Sequence, residues 1–238
     1  MKVTLVQKPT DPMNTIYVAA RTCYSEMSVE GIIEEAASIS HKEKSRLVRN
    51  VIKSGHHSVL EHVSFTFSFD GMSRVATHQL VRHRLAAYSQ QSQRYVRMDV
   101  SLAEMEKNAP PKISSDPDRL KAYLAGIEVS IENYNNMVEE MLLAGSSKEE
   151  ACENARMLLP NAIPSNILVT MNLRELIHVC NVRLCTRAQE EIRSGFTALA
   201  RLISTEIPFL THYLVPKCRQ LGYCPEHKSC GMIKFRRN

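Results

Sequence analysis

The strict alternation of apolar and polar residues over positions 63–70 constrains the fold of this chain most. Every second side chain is apolar and those between are polar, which is the period of a β-strand with one buried face. Such a strand is typical of an antiparallel sheet, since antiparallel sheets commonly leave one face to solvent. The apolar set is Val63, Phe65, Phe67 and Phe69, and the polar set is Ser64, Thr66, Ser68 and Asp70.

Helical patterns occupy most of the remaining chain. Between Pro117 and Gly145, apolar residues recur at alternating intervals of four and three, which predicts one long helix with a structural role. The apolar stripe consists of Leu120, Leu124, Ile127, Ile131, Tyr134, Val138 and Met141. Further helices are predicted to end before Gly55, over 73–84 and over 188–206, and further strands over 2–7 and 167–171. The segment 107–117 is predicted as a loop because it contains paired prolines and serines.

Two segments have the pattern of a capping box, in which a polar residue precedes a Glu by three positions. Ser147 with Glu150 predicts the start of one helix, and Asn172 with Glu175 predicts the start of another. The chain has no internal repeat and no low-complexity linker. These elements together predict the α+β class, with a single domain built on a small antiparallel sheet flanked by long helices.

Composition narrows the class of protein further. The longest apolar runs are far shorter than a membrane span, and the N-terminal residues lack the apolar core of a secretory signal. The seven cysteines are an odd number, spread over helical segments, which favours reduced thiols over a disulfide framework. We therefore expect a cytoplasmic protein with no membrane partner.

The net charge of +5 belongs to the C-terminal segment. From position 217 onward the chain has six basic residues and one acidic residue, Glu226. This segment therefore accounts for the whole net charge, and the rest of the chain is formally neutral. The basic residues are Lys217, Arg219, Lys228, Lys234, Arg236 and Arg237. A long nucleic-acid groove would need a basic stripe on the body. We therefore expect no nucleic-acid partner, and a small anionic ligand instead.

The segment RHRLAAYSQQSQRY, residues 82–95, carries the sharpest chemical pattern. It combines three arginines and a histidine with hydroxyl and amide side chains, and it contains no acid. A guanidinium binds two phosphate oxygens through parallel hydrogen bonds, so this composition predicts a nucleotide site. The chain has neither a G-x-G-x-x-G segment nor a P-loop, and a nucleotide would then be held by side chains. A solvated basic turn and an RNA-binding loop are the alternatives.

Arg82-His83-Arg84, seven residues and then Ser92-x-Arg94 resemble the signature of the flavin-dependent thymidylate synthases. Other segments resemble that family in the same order, over about residues 15–212. They are residues 55–62 (GHHSVLEH), 155–160 (ARMLLP), 172–178 (NLRELIH), and Arg183 with 188–192 (AQEEI). The chain departs from the commonest family pattern at Ala87, where Ser is usual, and at Ser89, where Asn is usual.

The resemblance implies a methyltransferase, an FAD-dependent thymidylate synthase. It would convert dUMP to dTMP with 5,10-methylenetetrahydrofolate as carbon donor and FAD, reduced by NADPH, as hydride source. It also implies a homotetramer whose active sites are shared between chains. The domain that carries these segments would span 1–216, followed by a basic cysteine-containing tail over 217–238.

The resemblance further implies roles for individual residues. Arg183 would activate the uracil ring, and Ser92 would assist there as a hydrogen-bonding residue. The dUMP site would comprise Gln79, Arg82, Gln90, Gln91, Ser92, Gln93, Arg94, Arg156 and Arg183. The FAD site would comprise His56, Ser58, Glu61, Arg82, His83, Arg84, Gln90, Asn172, Arg174 and His178. For Asn172, helix capping and a flavin contact both stay open.

No resident metal is predicted. His56, His57 and His62 do not have the spacing of a H-E-x-x-H site, and ordinary hydrogen-bonding roles are favoured. Cys224, His227 and Cys230 have ligand types and spacings that zinc accepts, and this alternative stays open beside a reduced tail.

Overall fold

The computed structural model describes residues 1–233, which form a small sheet and many helices. The strands are β1 (Lys2–Gln7), β2 (Ser64–Ser73), β3 (Ala86–Gln90) and β4 (Pro164–Asn172). The helices before β3 are α1 (Pro12–Thr22), α2 (Val29–Ser38), α3 (His41–Lys53) and α4 (Arg74–Leu80). Those after it are α5 (Leu102–Lys107), α6 (Pro111–Ser114), α7 (Pro117–Leu143), α8 (Lys148–Ala155), α9 (Leu173–Arg183), α10 (Glu190–Glu206) and α11 (Lys217–Leu221). Three short 3₁₀ turns lie at His57–His62, Arg156–Leu158 and Pro208–His212.

The four strands form one antiparallel sheet in the order β1-β2-β4-β3. The alternation in β2 has the predicted consequence, since Phe65, Phe67 and Phe69 are fully buried while the polar residues between them are partly exposed. The predicted α+β class with a small antiparallel sheet is confirmed. Within the described residues, no helix combines the length and the apolar character that crossing a membrane would require.

By its internal contacts the chain forms two compact units. The first unit contains Met1–Lys2, Phe69–Arg82 and Ser89–Leu168, and the second contains Val3–Ser68, His83–Tyr88 and the described residues from Val169 onward. Boundaries fall within β1, β2, β3 and β4, so each of these strands contributes residues to both units.

The core of the first unit is built on α7. Tyr134 and Val138 from the predicted stripe are fully buried, and the Tyr134 hydroxyl accepts a hydrogen bond of 3.1 Å from the Met98 backbone N–H. The helix begins after Asp116, whose side chain caps its first turn. It ends where Gly145 adopts a φ of 93°, a left-handed conformation that favours glycine. Helix α8 packs on α7, and Ser147 with Glu150 forms the predicted capping box.

The core of the second unit positions α9. Helix α1 packs on α2 and α3, and α9 packs on α10 and on the 3₁₀ turn His57–His62. Most of the apolar residues of α9 are buried, including Leu173, Leu176 and Val179. The Leu173 backbone N–H also donates to the Val63 carbonyl at 2.7 Å, which ties the start of α9 to the start of β2. The polar side chains of α9 are thereby held in a fixed orientation.

The structure corrects three local predictions. The helix predicted over 73–84 is α4 and ends at Leu80, so the Arg82–Arg84 segment lies beyond it and is followed by β3, for which no strand was predicted. Pairing with the sheet overrides local propensity here, because Gln91 N–H donates to the Asn166 carbonyl of β4 at 2.9 Å. The predicted loop 107–117 contains α6. Asn172 caps Glu175 N–H, but the reciprocal half of a capping box is missing because the Glu175 carboxylate faces His83 instead.

Candidate active site

Burial alternates along the Arg82–Arg84 segment. Arg82 and Arg84 are exposed, whereas the His83 side chain is 9% exposed and turns into the second unit. The two arginines therefore remain available to an anionic ligand, and the histidine is held by protein groups.

His83 lies at the centre of a buried polar network. Its Nε2 accepts a hydrogen bond of 2.9 Å from Nε of Arg183, and its Nδ1 lies 3.7 Å from the Glu175 carboxylate. The Tyr88 hydroxyl donates to the His83 carbonyl at 2.7 Å. The His178 ring lies edge-on to it, with 6.1 Å between ring centroids. The sequence predicted His83, His178 and Arg183 as site residues, and the structure brings them together.

Burial sets the charge states of this network. Burial, with the nearby Arg183 and His178, lowers the pKa of His83 from 6.5 to about 4, so the ring is neutral near pH 7. Burial and the Glu175 carboxylate raise the pKa of Tyr88 to about 12. Burial also lowers the pKa of Arg183 from its usual value, although a guanidinium stays charged at neutral pH. A fixed cation and a fixed carboxylate thus flank a neutral imidazole.

Four of the predicted flavin residues line one cavity of about 530 Å³ in the second unit. They are Glu61, Asn172, Arg174 and His178. Arg174 forms an ion pair with Glu61, and both side chains are about half exposed. His57, Leu85, Glu175 and Ile177 line the same cavity. A flavin nucleotide needs cations for its phosphates and apolar surface for its ring; Arg174 could meet the first need, and Leu85 with Ile177 the second.

His56 and Ser58 lie at or near the start of the 3₁₀ turn His57–His62, and both are exposed. The Tyr24 hydroxyl lies 2.7 Å from Nδ1 of His56, and the two rings stack at 5.8 Å between centroids. His57 Nε2 lies 3.0 Å from the Ile52 carbonyl. His56 is therefore paired with Tyr24, which follows the end of α1, and its ring remains accessible.

The predicted glutamines of the dUMP site belong to the first unit. Gln90 donates from Nε2 to Ser165 Oγ at 2.8 Å and to Thr77 Oγ1 at 3.1 Å. Both hydroxyl residues are almost fully buried, so the Gln90 side chain has a fixed orientation. Gln91 pairs with Asn166 in β4, and Gln79 and Gln93 are partly buried.

Two arginines converge on α8 in the same unit. Arg94 Nη2 lies 2.9 Å from Glu149 and 3.0 Å from Glu153, and its guanidinium lies over the Tyr95 ring at 5.4 Å. Arg94 Nε is buried and has no hydrogen-bond partner in the described residues. Arg156 Nε donates to the Glu153 carbonyl at 3.2 Å. Ser92 Oγ accepts from the Arg94 backbone N–H at 3.2 Å. This cluster can offer guanidinium N–H groups to an anion.

The C-terminal cysteines surround a second cavity, of about 370 Å³, in the second unit. Cys185, Cys218, Cys224 and Cys230 line it together with Arg183. A hydrogen bond with Thr186 lowers the pKa of Cys230, and burial raises that of Cys218. Across residues 1–233, no three His, Cys, Asp or Glu side chains are arranged to hold a metal ion. The zinc alternative for the tail therefore has no geometric support in the described residues.

Several residues of the site were not predicted from the sequence. Glu175 had been assigned only to a capping pattern, and Tyr88, Thr77 and Ser165 carried no signal of their own. Their partners lie far away in the chain: Gln90 and Ser165, for example, are 75 positions apart. Glu149 and Glu153 are spaced at i and i+4 on α8, and that spacing could have indicated a paired acidic face.

Comparison with known proteins identifies the family. A family model described as "Thymidylate synthase complementing protein" matches residues 4–209. A protein of Geobacter sulfurreducens named flavin-dependent thymidylate synthase is 38% identical over 232 residues, covering 97% of this chain and 94% of that protein. Proteins of the same name from Clostridium tetani and Pyrococcus abyssi are 37% and 39% identical, covering 97% and 96% of this chain and 93% and 91% of their own lengths. The chain belongs to the flavin-dependent thymidylate synthase family.

Proposed function

We propose that this enzyme methylates dUMP to dTMP with 5,10-methylenetetrahydrofolate as carbon donor, FAD as cofactor and NADPH as reductant. The observation that supports it most directly is the Arg183 guanidinium, held in a partly buried site by a neutral imidazole. Methylation requires negative charge to develop at C5 of the uracil ring. A fixed cation that draws charge toward the N3 and carbonyl side favours this state, and the effect is large where water is excluded.

The predicted dUMP residues would contact different parts of the substrate. Arg94 and Arg156 would contact the phosphate, since Arg94 has an unpaired buried Nε and both guanidiniums sit beside α8. Gln90 would present its amide oxygen to the substrate, because its nitrogen is already engaged by two hydroxyls. The remaining predicted contacts are Gln79, Arg82, Gln91, Ser92 and Gln93, and Arg183 would lie against the uracil ring.

The flavin residues would neutralise and orient the cofactor. When bound, reduced FAD supplies the hydride that completes the methyl group on the carbon taken from the folate. Arg82 and Arg84 are exposed and would face the pyrophosphate, and Arg174 and His178 already line one cavity. The other proposed contacts are His56, Ser58, Glu61, His83, Gln90 and Asn172.

Omission assays test this function. Purified protein is first scanned for flavin absorbance, and dTMP is then measured by chromatography with dUMP, methylenetetrahydrofolate, FAD and NADPH together. Leaving out dUMP, methylenetetrahydrofolate or NADPH should abolish product formation within the assay time, and leaving out FAD should do so once bound flavin has been removed. The double variant Arg82→Ala, Arg84→Ala should lose FAD through gel filtration, because two charge-assisted contacts of about 1.5–3 kcal/mol each are removed.

A matched control removes two exposed guanidiniums elsewhere, with Arg119→Ala and Arg201→Ala on α7 and α10. That control should keep its flavin. Stoichiometric FAD in the Arg82, Arg84 variant would exclude these residues from the cofactor site. Product formation without methylenetetrahydrofolate would exclude the proposed carbon donor.

We also propose a homotetramer with shared active sites and a cytoplasmic location. The location is supported by the cysteines, because all seven are free thiols in the structure and exposed thiols persist in a reducing compartment. Light scattering of the purified protein tests the tetramer, for which a chain of 27.0 kDa predicts about four times that mass.

A further inference from the structure

The Arg183 side chain is connected to Glu175 through His83. Arg183 ends α9, and Glu175 lies in its first turn, about 12 Å away along the helix axis. His83 spans this separation, because it accepts from Arg183 Nε at 2.9 Å and presents its other nitrogen to Glu175 at 3.7 Å. The three side chains therefore form one chain of polar contacts along a single face of α9.

Hydrogen-bond chemistry determines the tautomer of His83. A guanidinium can only donate, so Nε2 of His83 must be the acceptor. The ring is neutral, so its one proton sits on Nδ1, the nitrogen that faces Glu175. The distance of 3.7 Å exceeds that of a direct hydrogen bond, yet a carboxylate there favours the Nδ1–H form electrostatically. The opposite tautomer would place an N–H against the N–H of Arg183.

The position of Glu175 is itself fixed by the fold. Its backbone N–H donates to Oδ1 of Asn172 at 2.9 Å, and the residue is only 6% exposed. A carboxylate in the first turn of a helix is favoured by the helix dipole, which offsets part of the cost of burying it. The groups that face His83 are Glu175, Arg183 and His178 from α9 and Tyr88 from β3. Glu175 is the one carboxylate among them.

We propose that Glu175 is a positioning residue that acts through His83 to hold the guanidinium of Arg183 in its productive orientation. This inference rests on the proposed function of Arg183 as the group that activates the uracil ring. Glu175 also lines the cavity proposed for flavin, so any change in flavin binding is measured apart from the effect on Arg183. Glu175 would set the tautomer of His83, and the Nε2 lone pair would then orient the Nε edge of the Arg183 guanidinium.

Kinetics of two variant sets test the inference. Glu175→Gln keeps shape and removes charge, and it should lower kcat by about 10- to 100-fold, the loss typical of a misplaced catalytic group. The KM for dUMP should change little, and kcat is measured at saturating FAD so that altered flavin affinity does not contribute to it. His83→Gln should lose less activity than His83→Leu, because an amide can accept from Arg183 and donate toward Glu175 at once. His83→Leu cannot do so and should lose activity as Glu175→Gln does. Glu34→Gln, an exposed acid on α2, is the matched control.

A double-variant cycle separates positioning from general damage. In the Arg183→Ala background, Glu175→Gln should cause no further loss of kcat, since the group it positions is gone. If the losses multiply instead, Glu175 does not act through Arg183 and the inference is wrong. If Glu175→Gln does not fold, the comparison of His83→Gln with His83→Leu decides, and equal activity in these two variants would overturn the inference.

The tautomer provides a readout that is independent of activity. The ¹⁵N spectrum of histidine-labelled protein, assigned with His83→Gln, should show neutral His83 with its proton on Nδ1 at pH 7. A proton on Nε2 would overturn the inference whatever the kinetics. If wild-type protein makes no dTMP while the spectrum shows the Nδ1–H form, the proposed function fails. The arrangement of Glu175, His83 and Arg183 then still stands.

Discussion

Neighbouring residues of the Arg82–Arg84 segment have opposite environments, and this separates their roles. The exposed arginines can meet a ligand directly, whereas His83 meets Arg183 and Glu175. The family resemblance predicted site roles for Arg82, His83 and Arg84. The sequence could not indicate the partner of His83, because Arg183 lies 100 positions away and no periodicity connects them.

The neutral state of His83 makes stability depend on pH. Its pKa falls from 6.5 in the unfolded chain to about 4 in the folded protein, so the unfolded state binds more protons between these values. The contribution of His83 to the free energy of unfolding is therefore fully present above about pH 6.5. It decreases toward pH 4, by up to about 1.4 kcal/mol per pH unit. His83→Gln removes this titration. Its melting temperature should depend less on pH over this range than that of the wild type.

The measurement is a series of thermal melts from pH 7.5 to pH 4 for wild type and His83→Gln. Exposed His41 on α3 provides the control, His41→Gln, whose pH profile should match the wild type. Parallel profiles for wild type and His83→Gln would show that His83 titrates alike in the folded and unfolded protein.

Arg183 should be the residue whose loss most affects the chemical step. Arg183→Ala should lower kcat by about 100-fold or more, by analogy with the loss of one donor to a developing oxyanion. Arg183→Lys should recover only part, because an ammonium lacks the planar fork that His83 orients. Flavin reduction by NADPH, followed by absorbance, should survive in both variants. Near wild-type turnover of Arg183→Ala at saturating dUMP would assign ring activation to another residue, with Ser92 and Arg94 next.

At the scale of elements, the sequence predicted those whose pattern is local. β2 has a strict period of two, α7 has a regular apolar stripe, and the Ser147 capping box marks the start of α8. β3 escaped prediction because its five residues gain their strand character from pairing in the sheet. Helix α4 was predicted to be too long because no local sequence signal ends it before Arg82.

The start of α8 is an element on which the proposed phosphate site depends. Ser147 accepts from Glu150 N–H at 3.2 Å, and Glu149 in the same turn holds Arg94. Ser147→Ala removes the cap and should destabilise the protein by about 1 kcal/mol. Fraying of this turn should also raise the KM for dUMP through Arg94. Both effects are read from chemical denaturation and steady-state kinetics.

Ser130→Ala is the control, because it removes the same oxygen from the interior of α7, where the hydroxyl only bonds back to Gly126. That change should be neutral or slightly stabilising. Equal effects from the two substitutions would show that the Ser147 cap has no special role in holding α8.

At the scale of the whole molecule, the predicted residues divide between the two units. All the predicted dUMP contacts except Arg183 belong to the first unit, and most of the predicted flavin contacts belong to the second. The linear order of the sequence could not reveal this division. β3 crosses from one unit to the other, and Arg82 and His83, adjacent in the chain, belong to different units.

Hybrid oligomers test the proposal that active sites are shared between chains. One variant, Arg156→Ala, is defective in the first unit, and another, Arg183→Ala, is defective in the second. If a site combines the first unit of one chain with the second unit of another, mixed oligomers contain some sites with neither defect. With random mixing, about a quarter of the sites should be intact.

The two variants are co-expressed with different affinity tags, and hybrids are isolated by sequential purification. Their turnover should reach about a quarter of the wild-type value, well above that of either variant alone. Hybrids of Arg183→Ala with Glu175→Gln provide the control. Both defects lie in the second unit, so every site contains one of them. Turnover of the first hybrid that equals the average of its parents would mean that each chain builds its site from its own two units.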